Sequence, residues 1–174
     1  KKKTINLNEA SFTQAINISA QWCKEWGEDF LSEEVLADRV AELIKTKNGL
    51  RGFFAYALSD KDCFLLDKLP FSLIYKLNEG GDAVAEIMVK NLIMSSAQII
   101  IHRRENNYEY ETTSRIISDR CKGILRLLET KLVIKIINKV IKDLGNMGNS
   151  FDNSTKYDPE QKEFIKKQIL DIAQ

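Results

Sequence analysis

Asn91, Ser95, Gln98 and His102 come nearest, by type and spacing, to a set of residues that could do chemistry. Separated by 4, 3 and 4 positions, they fall on one stripe of a helix predicted over 82–104. Around them, Val84, Met88, Leu92 and Ile99 on one side and Ile87, Met94 and Ile101 on another make most of the circumference apolar. Such a helix belongs inside a fold rather than on it. A buried polar group without a partner costs about 1–3 kcal/mol, so the seam must be satisfied. It can bond neighbouring helices and fix their register, or be simply a partly wet strip, and these structural roles are the expectation. The alternative is a small-ligand pocket, in which a few polar groups on an apolar wall orient the bound molecule.

Stronger chemistry is not supported. His102 is the single histidine, so the paired Glu-x-x-His units of a di-metal bundle cannot form. Cys23, Cys63 and Cys121 with His102 match the count of a structural zinc site, but the cysteines are 40 and 58 residues apart, with no short Cys-x-x-Cys pair. Each also sits among apolar residues, where a thiol packs as a small hydrophobe. Ser95 and His102 are about 10 Å apart along a helix, too far for a nucleophile and its base. The carboxylate pairs Glu33/Glu34 and Asp60/Asp62 stand where caps and turns need them, and Gly80-Gly81 follows a helix rather than a strand. The expectation is a protein with no catalytic set, no metal and no cofactor.

Bulk composition narrows the class. The chain has 174 residues, 44% hydrophobic and 29% charged, enough for one domain that needs no staples. Its net charge of +1 is uneven: residues 1–89 hold 11 basic and 14 acidic side chains, residues 90–144 hold 11 and 6, and residues 145–174 hold 4 and 5. A central excess of five is modest beside that of dedicated nucleic-acid domains. Three sparse cysteines fit reduced thiols and a cytoplasmic protein. Lys1–Lys3 lead into Thr4-Ile5-Asn6-Leu7 without the apolar core of a signal peptide. Glu86 and Lys90 interrupt the most apolar stretch, so no transmembrane segment is predicted.

The elements that must position these residues read as helices. Asn8 is the predicted cap of a first helix, about 9–28, and Ser32 of a second, ended by Asn48-Gly49. Residues 50–69 read as two short helices, with a short β-hairpin as the alternative. Pro70 opens a helix over about 70–79 that Gly80-Gly81 stops. After helix 82–104 and a turn at Asn106-Asn107, one apolar period runs from about Glu111 to Leu144. As a single helix it would span about 50 Å, against a diameter of about 40 Å for a compact chain of this size. It must therefore bend, Gly123 being the predicted place, or project. Residues 145–157 read as a flexible linker, and Asp158-Pro159-Glu160-Gln161 as the cap, first-turn proline and capping-box glutamine of a helix ending near 173, with Ile165, Ile169 and Ile172 on one face. The predicted fold is all-α: an irregular single-domain bundle of about six or seven helices over 1–144, with the helix of 158–174 packing on it or on a neighbouring subunit.

Two surfaces bear on function. From Leu132 to Leu144 the apolar arc covers about 200°, more than one packing contact requires, which makes Ile134, Ile137 and Ile141 a predicted interface. Arg103, Arg104, Arg120, Lys131, Lys135 and Lys142 could form a basic patch for phosphates or an anionic membrane, or simply the solvated back of core helices. Trp22, Trp26, Phe30, Phe53, Phe54 and Tyr56 are expected in the core. The leading expectation is a non-catalytic interaction or regulatory protein with a protein partner, forming a homo-oligomer. A nucleic-acid accessory protein using 103–142 is the second reading and a ligand-binding domain on the polar seam the third.

Overall fold

A computed structural model describes residues 5–145 and 157–173. Among these residues there are eight α-helices, a 3-10 turn at Leu7–Glu9 and no strand, so the chain is all-α. It falls into two compact units, Lys1–Val84 and Ala85–Gln174.

In the first unit, α1 (Phe12–Gly27) is opened by Ser11 rather than Asn8. The Ser11 hydroxyl accepts from Gln14 N, and the Gln14 side chain accepts from Ser11 N, a capping box that outcompetes the lone asparagine. Ser32 caps α2 (Glu33–Leu43) as predicted. Asn48-Gly49 does not end that helix. The chain turns at Ile44, Thr46 caps a new one, and Gly49 lies in the first turn of α3 (Lys47–Ser59). Residues 50–69 therefore contain one helix followed by turns, not a hairpin and not a second helix. Asp60 ends α3 and accepts from Asp62 N, so this carboxylate pair makes a turn. Pro70 precedes α4 (Phe71–Glu79), which is tied to α2 where Ser72 Oγ donates to Glu33 over 2.7 Å.

α1 and α3 approach so closely at Gly52 that a Cβ there would stand 2.4 Å from Ala15 Cβ. Only glycine permits that contact. Phe53 and Phe54 fill the core edge to face, their centroids 5.0 Å apart. Trp22 is buried with them, whereas Phe30 is 75% exposed and leaves the expected aromatic core.

The next helix, α5 (Gly81–Arg104), begins in the first unit and supplies the second from Ala85 on; its first residue takes φ +59°, a glycine conformation that lets it follow α4 directly. Val84, Met88, Leu92 and Ile99 are at most 1% exposed, so this side of the helix is buried as the periodicity predicted, but on the other predicted side Ile87 and Ile101 are only half-buried and Met94 is 59% exposed. Despite Glu86 and Lys90, α5 is long and apolar enough to cross a membrane. Its most apolar window, however, is 61% buried in the fold, as befits a core helix.

The long period after Asn106-Asn107 is two helices, α6 (Tyr108–Leu127) and α7 (Thr130–Gly145). The break is at Leu128 (ψ 161°), not Gly123, and Leu128 remains buried as it turns the chain. This split relieves the length conflict. Residues 146–156, most of the expected linker, lie outside the described residues. Then Asp158 caps α8 (Pro159–Asp171) with the predicted capping box, and Ile165, Ile169 and Ile172 are buried.

Candidate functional site

The polar seam divides along its length. Asn91 Nδ2 donates back to Ile87 O over 2.8 Å. Ser95 Oγ lies 2.7 Å from both Asn91 O and Ser118 Oγ, the latter on α6. Ser95 thus pins α5 to α6, the register-fixing role. Gln98 is exposed and contributes nothing to a buried wall. His102 is half-buried beside Tyr110, ring centroids 5.5 Å apart, and its Nδ1 has no hydrogen-bond partner among the described residues. The amide that does enter the interior is Gln161 of α8, which donates to Ala97 O over 3.3 Å.

The basic residues do not form one patch. Arg103 pairs with Glu111 and lies over the Phe164 ring. Arg104 grips Asp158 and reaches Glu160. Arg120 is only 4% exposed, so it cannot belong to a surface patch. It flanks the apolar face of α6, as Lys122 does on the other side, and burial of such stems covers core. Lys122 and Arg126 both bond Asp171 near the end of α8. Lys131, Lys135 and Lys142 remain exposed on α7.

Electrostatics therefore clasp α8 at both ends. The Arg104 guanidinium holds the Asp158 carboxyl down to about 2, helped by the Gln161 backbone N–H. Lys122 first, and then Arg126, holds Asp171 below the usual carboxylate range. All three cysteines are buried and outside any disulfide among the described residues, and burial pushes the Cys121 thiol far up, the opposite of an activated nucleophile.

A groove of about 520 Å³ lies between α7, α8 and the end of α6. Val133, Ile169 and Ile172 are buried and form its floor, with Ile137 half-buried beside them. Its rims are Ile134 on α7 and Leu170 on α8, 52% and 65% exposed. α7 is the most strongly amphipathic helix described, and the groove follows from its width. Val133, Ile136 and Val140 face the unit's core, which leaves the Ile134–Ile137–Ile141 flank over. Ile134 and Ile137 line the groove, while Ile141 stands exposed one turn further on. None of the seam residues contributes to it.

The wide apolar arc on α7 thus identified one wall. The opposite wall was missed, although Leu170 stands off the Ile165–Ile169–Ile172 face and has no place in that helix's own core.

No curated protein and no solved structure matches the chain. The family model described as "Uncharacterised conserved protein UCP020893" matches residues 11–172, and the chain belongs to that family.

Proposed function

We propose that this chain is a non-catalytic protein-interaction module with a regulatory role, and that a partner docks along the α7–α8 groove. One observation carries the reading: two large aliphatic side chains, Ile134 and Leu170, are exposed on facing helices around a concavity with an apolar floor. A single exposed leucine is ordinary. Burying a fully exposed Leu or Ile contributes about 1.5–3 kcal/mol, so two rims that are 52% and 65% exposed still add a driving force when they close over one ligand. A volume of about 520 Å³ lies within the range of about 300–1,000 Å³ in which pockets anchor a bound group.

The nucleic-acid reading has less support, because Arg103 and Arg104 are engaged by carboxylates and Arg120 is buried. Buried thiols outside any disulfide among the described residues support a reducing, cytoplasm-like setting. A photo-crosslinking amino acid at position 134 tests the proposal in the protein's own cell. A specific adduct that disappears with Leu170→Glu is expected. Equal labelling from an exposed control position such as Val35 would sink it.

A further inference from the structure

Resting on that reading of the groove, we infer that its occupant is an amphipathic helix of another protein whose apolar ridge is flanked by carboxylates. The shape argues for a helix. Ile134, Ile137 and Ile141 are spaced 3 and 4, the seam that one helix presents to another. The floor lies between two helices, so a ridge of side chains reaches it, as in helix-in-groove recognition. A flat bilayer surface would meet only the rims.

The charge argues for acidic flanks. Asn138 lines the groove, and Lys131, seven residues earlier, and Lys142, four later, stand on the same line of α7. On α8, Lys166 precedes Leu170 by one turn on the same side. These three lysines are exposed and make no ion pair among the described residues. Nearby carboxylates do not cancel them. Asp171 is taken by Lys122 and Arg126, and Asp143 lies across α7 from the apolar flank. Glu163 lies on the same side of α8 as Lys166, and the exposed Glu129 stands between the groove-lining Leu128 and Thr130.

A second copy fits less well. α7 against α7 would bring Lys131 and Lys142 of both copies together. The chain's own acidic helix, α2, keeps Leu36, Val40 and Leu43 fully buried and so has no ridge to offer.

Fluorescein-labelled designed helices test this on the full chain. One carries leucines at i, i+3 and i+7 with glutamate flanks; a second has lysine flanks. The glutamate peptide is expected to bind at least ten-fold tighter at low salt, with the gap closing as salt rises. Ile134→Glu with Leu170→Glu should abolish binding while leaving the circular dichroism unchanged. Lys131→Glu, Lys142→Glu and Lys166→Glu together should reverse the preference toward the lysine peptide.

Equal binding of both peptides would overturn the charge inference and leave the docking reading standing. Self-association abolished by Ile134→Glu would do the same, by making a second copy the occupant. Binding to phosphatidylserine vesicles with no peptide binding would overturn the inference and the docking reading together.

Discussion

Arg104 holds Asp158 through two parallel hydrogen bonds, Nη1 to Oδ2 at 2.7 Å and Nη2 to Oδ1 at 3.2 Å. The same carboxylate caps α8, Oδ1 accepting from Gln161 N over 3.0 Å. One side chain therefore starts the last helix and fastens it to α5. Since α8 supplies Leu170, Ile169 and Ile172 to the groove, that fastening helps hold one wall of it in place, together with the Asp171 contacts and the burial of Ile165, Ile169 and Ile172. Three substitutions separate the two roles. Asp158→Ala should lower hydrogen-exchange protection across α8 most, Asp158→Asn should keep the cap and lose only the charge pair, and Arg104→Ala should resemble Asp158→Asn. Exchange measured residue by residue over 159–171 checks the order, and equal protection in all three variants would refute it.

The sign of the pH dependence follows from the same carboxyl. Its folded value, about 2, lies below its ordinary 3.8, so the bound form is the charged one. The contribution to stability is complete above the ordinary value and is lost as pH falls through the window from 3.8 to about 2. Asp171 shifts in the same direction through Lys122 and Arg126, so both ends of α8 loosen together in acid. An NMR titration of the Asp158 carboxyl should find its midpoint near 2 in the native protein. With Arg104→Ala the midpoint should move up toward 3.8. A native midpoint already at 3.8 would remove the clasp.

Much of this arrangement was legible in the residues, and what was not has physical causes. Local rules sufficed where the interaction is local: Ser32, the Asp158-to-Gln161 box and the apolar period of α5 were each readable from neighbours in sequence. The break at Leu128 was not, because the apolar period runs through it and neither glycine nor proline marks it. A helix of that length outruns a compact unit, so tertiary packing rather than propensity chooses where it bends. Arg120 was misplaced for a related reason. Closeness to Arg103 and Arg104 in sequence suggested a patch, yet its face on α6 decided its burial. The groove needed two helices from distant parts of the chain, and only one wall could be read from either alone.

The Ser95–Ser118 contact makes a sharper prediction about the seam. Ser95 keeps its bond to Asn91 O when Ser118 is removed, so Ser118→Ala should cost only about 0.5–1.5 kcal/mol, the net worth of one hydrogen bond. The double variant with Ser95→Ala should cost less than the sum of the singles, because no unpaired hydroxyl then remains. Chemical denaturation of the four proteins in the cycle measures this. Strict additivity would mean that the hydroxyls do not interact in solution.

Gly52 tests the first unit. A methyl there meets Ala15 Cβ at 2.4 Å and Phe12 O at 2.9 Å, both rigidly placed. Gly52→Ala should therefore destabilise by about 1–3 kcal/mol, despite alanine's better helix propensity. Ala15→Gly should recover part of that loss by opening the contact, although a helical glycine costs about 1 kcal/mol by itself. A Gly52→Ala protein as stable as the parent would show that α1 and α3 stand further apart.

Two isoleucines two positions apart on α7 test the division of labour on which the groove depends. Ile136 is 1% exposed and faces the core, whereas Ile134 is 52% exposed on the rim. Ile136→Ala should cost about 2–5 kcal/mol, the usual range for emptying a core aliphatic site. Ile134→Ala should stay within about 0.5 kcal/mol, as surface changes do. Denaturant midpoints of the two variants give the comparison directly. A loss at Ile134 approaching that at Ile136 would mean that this flank of α7 is packed inside the chain and is not available to a partner.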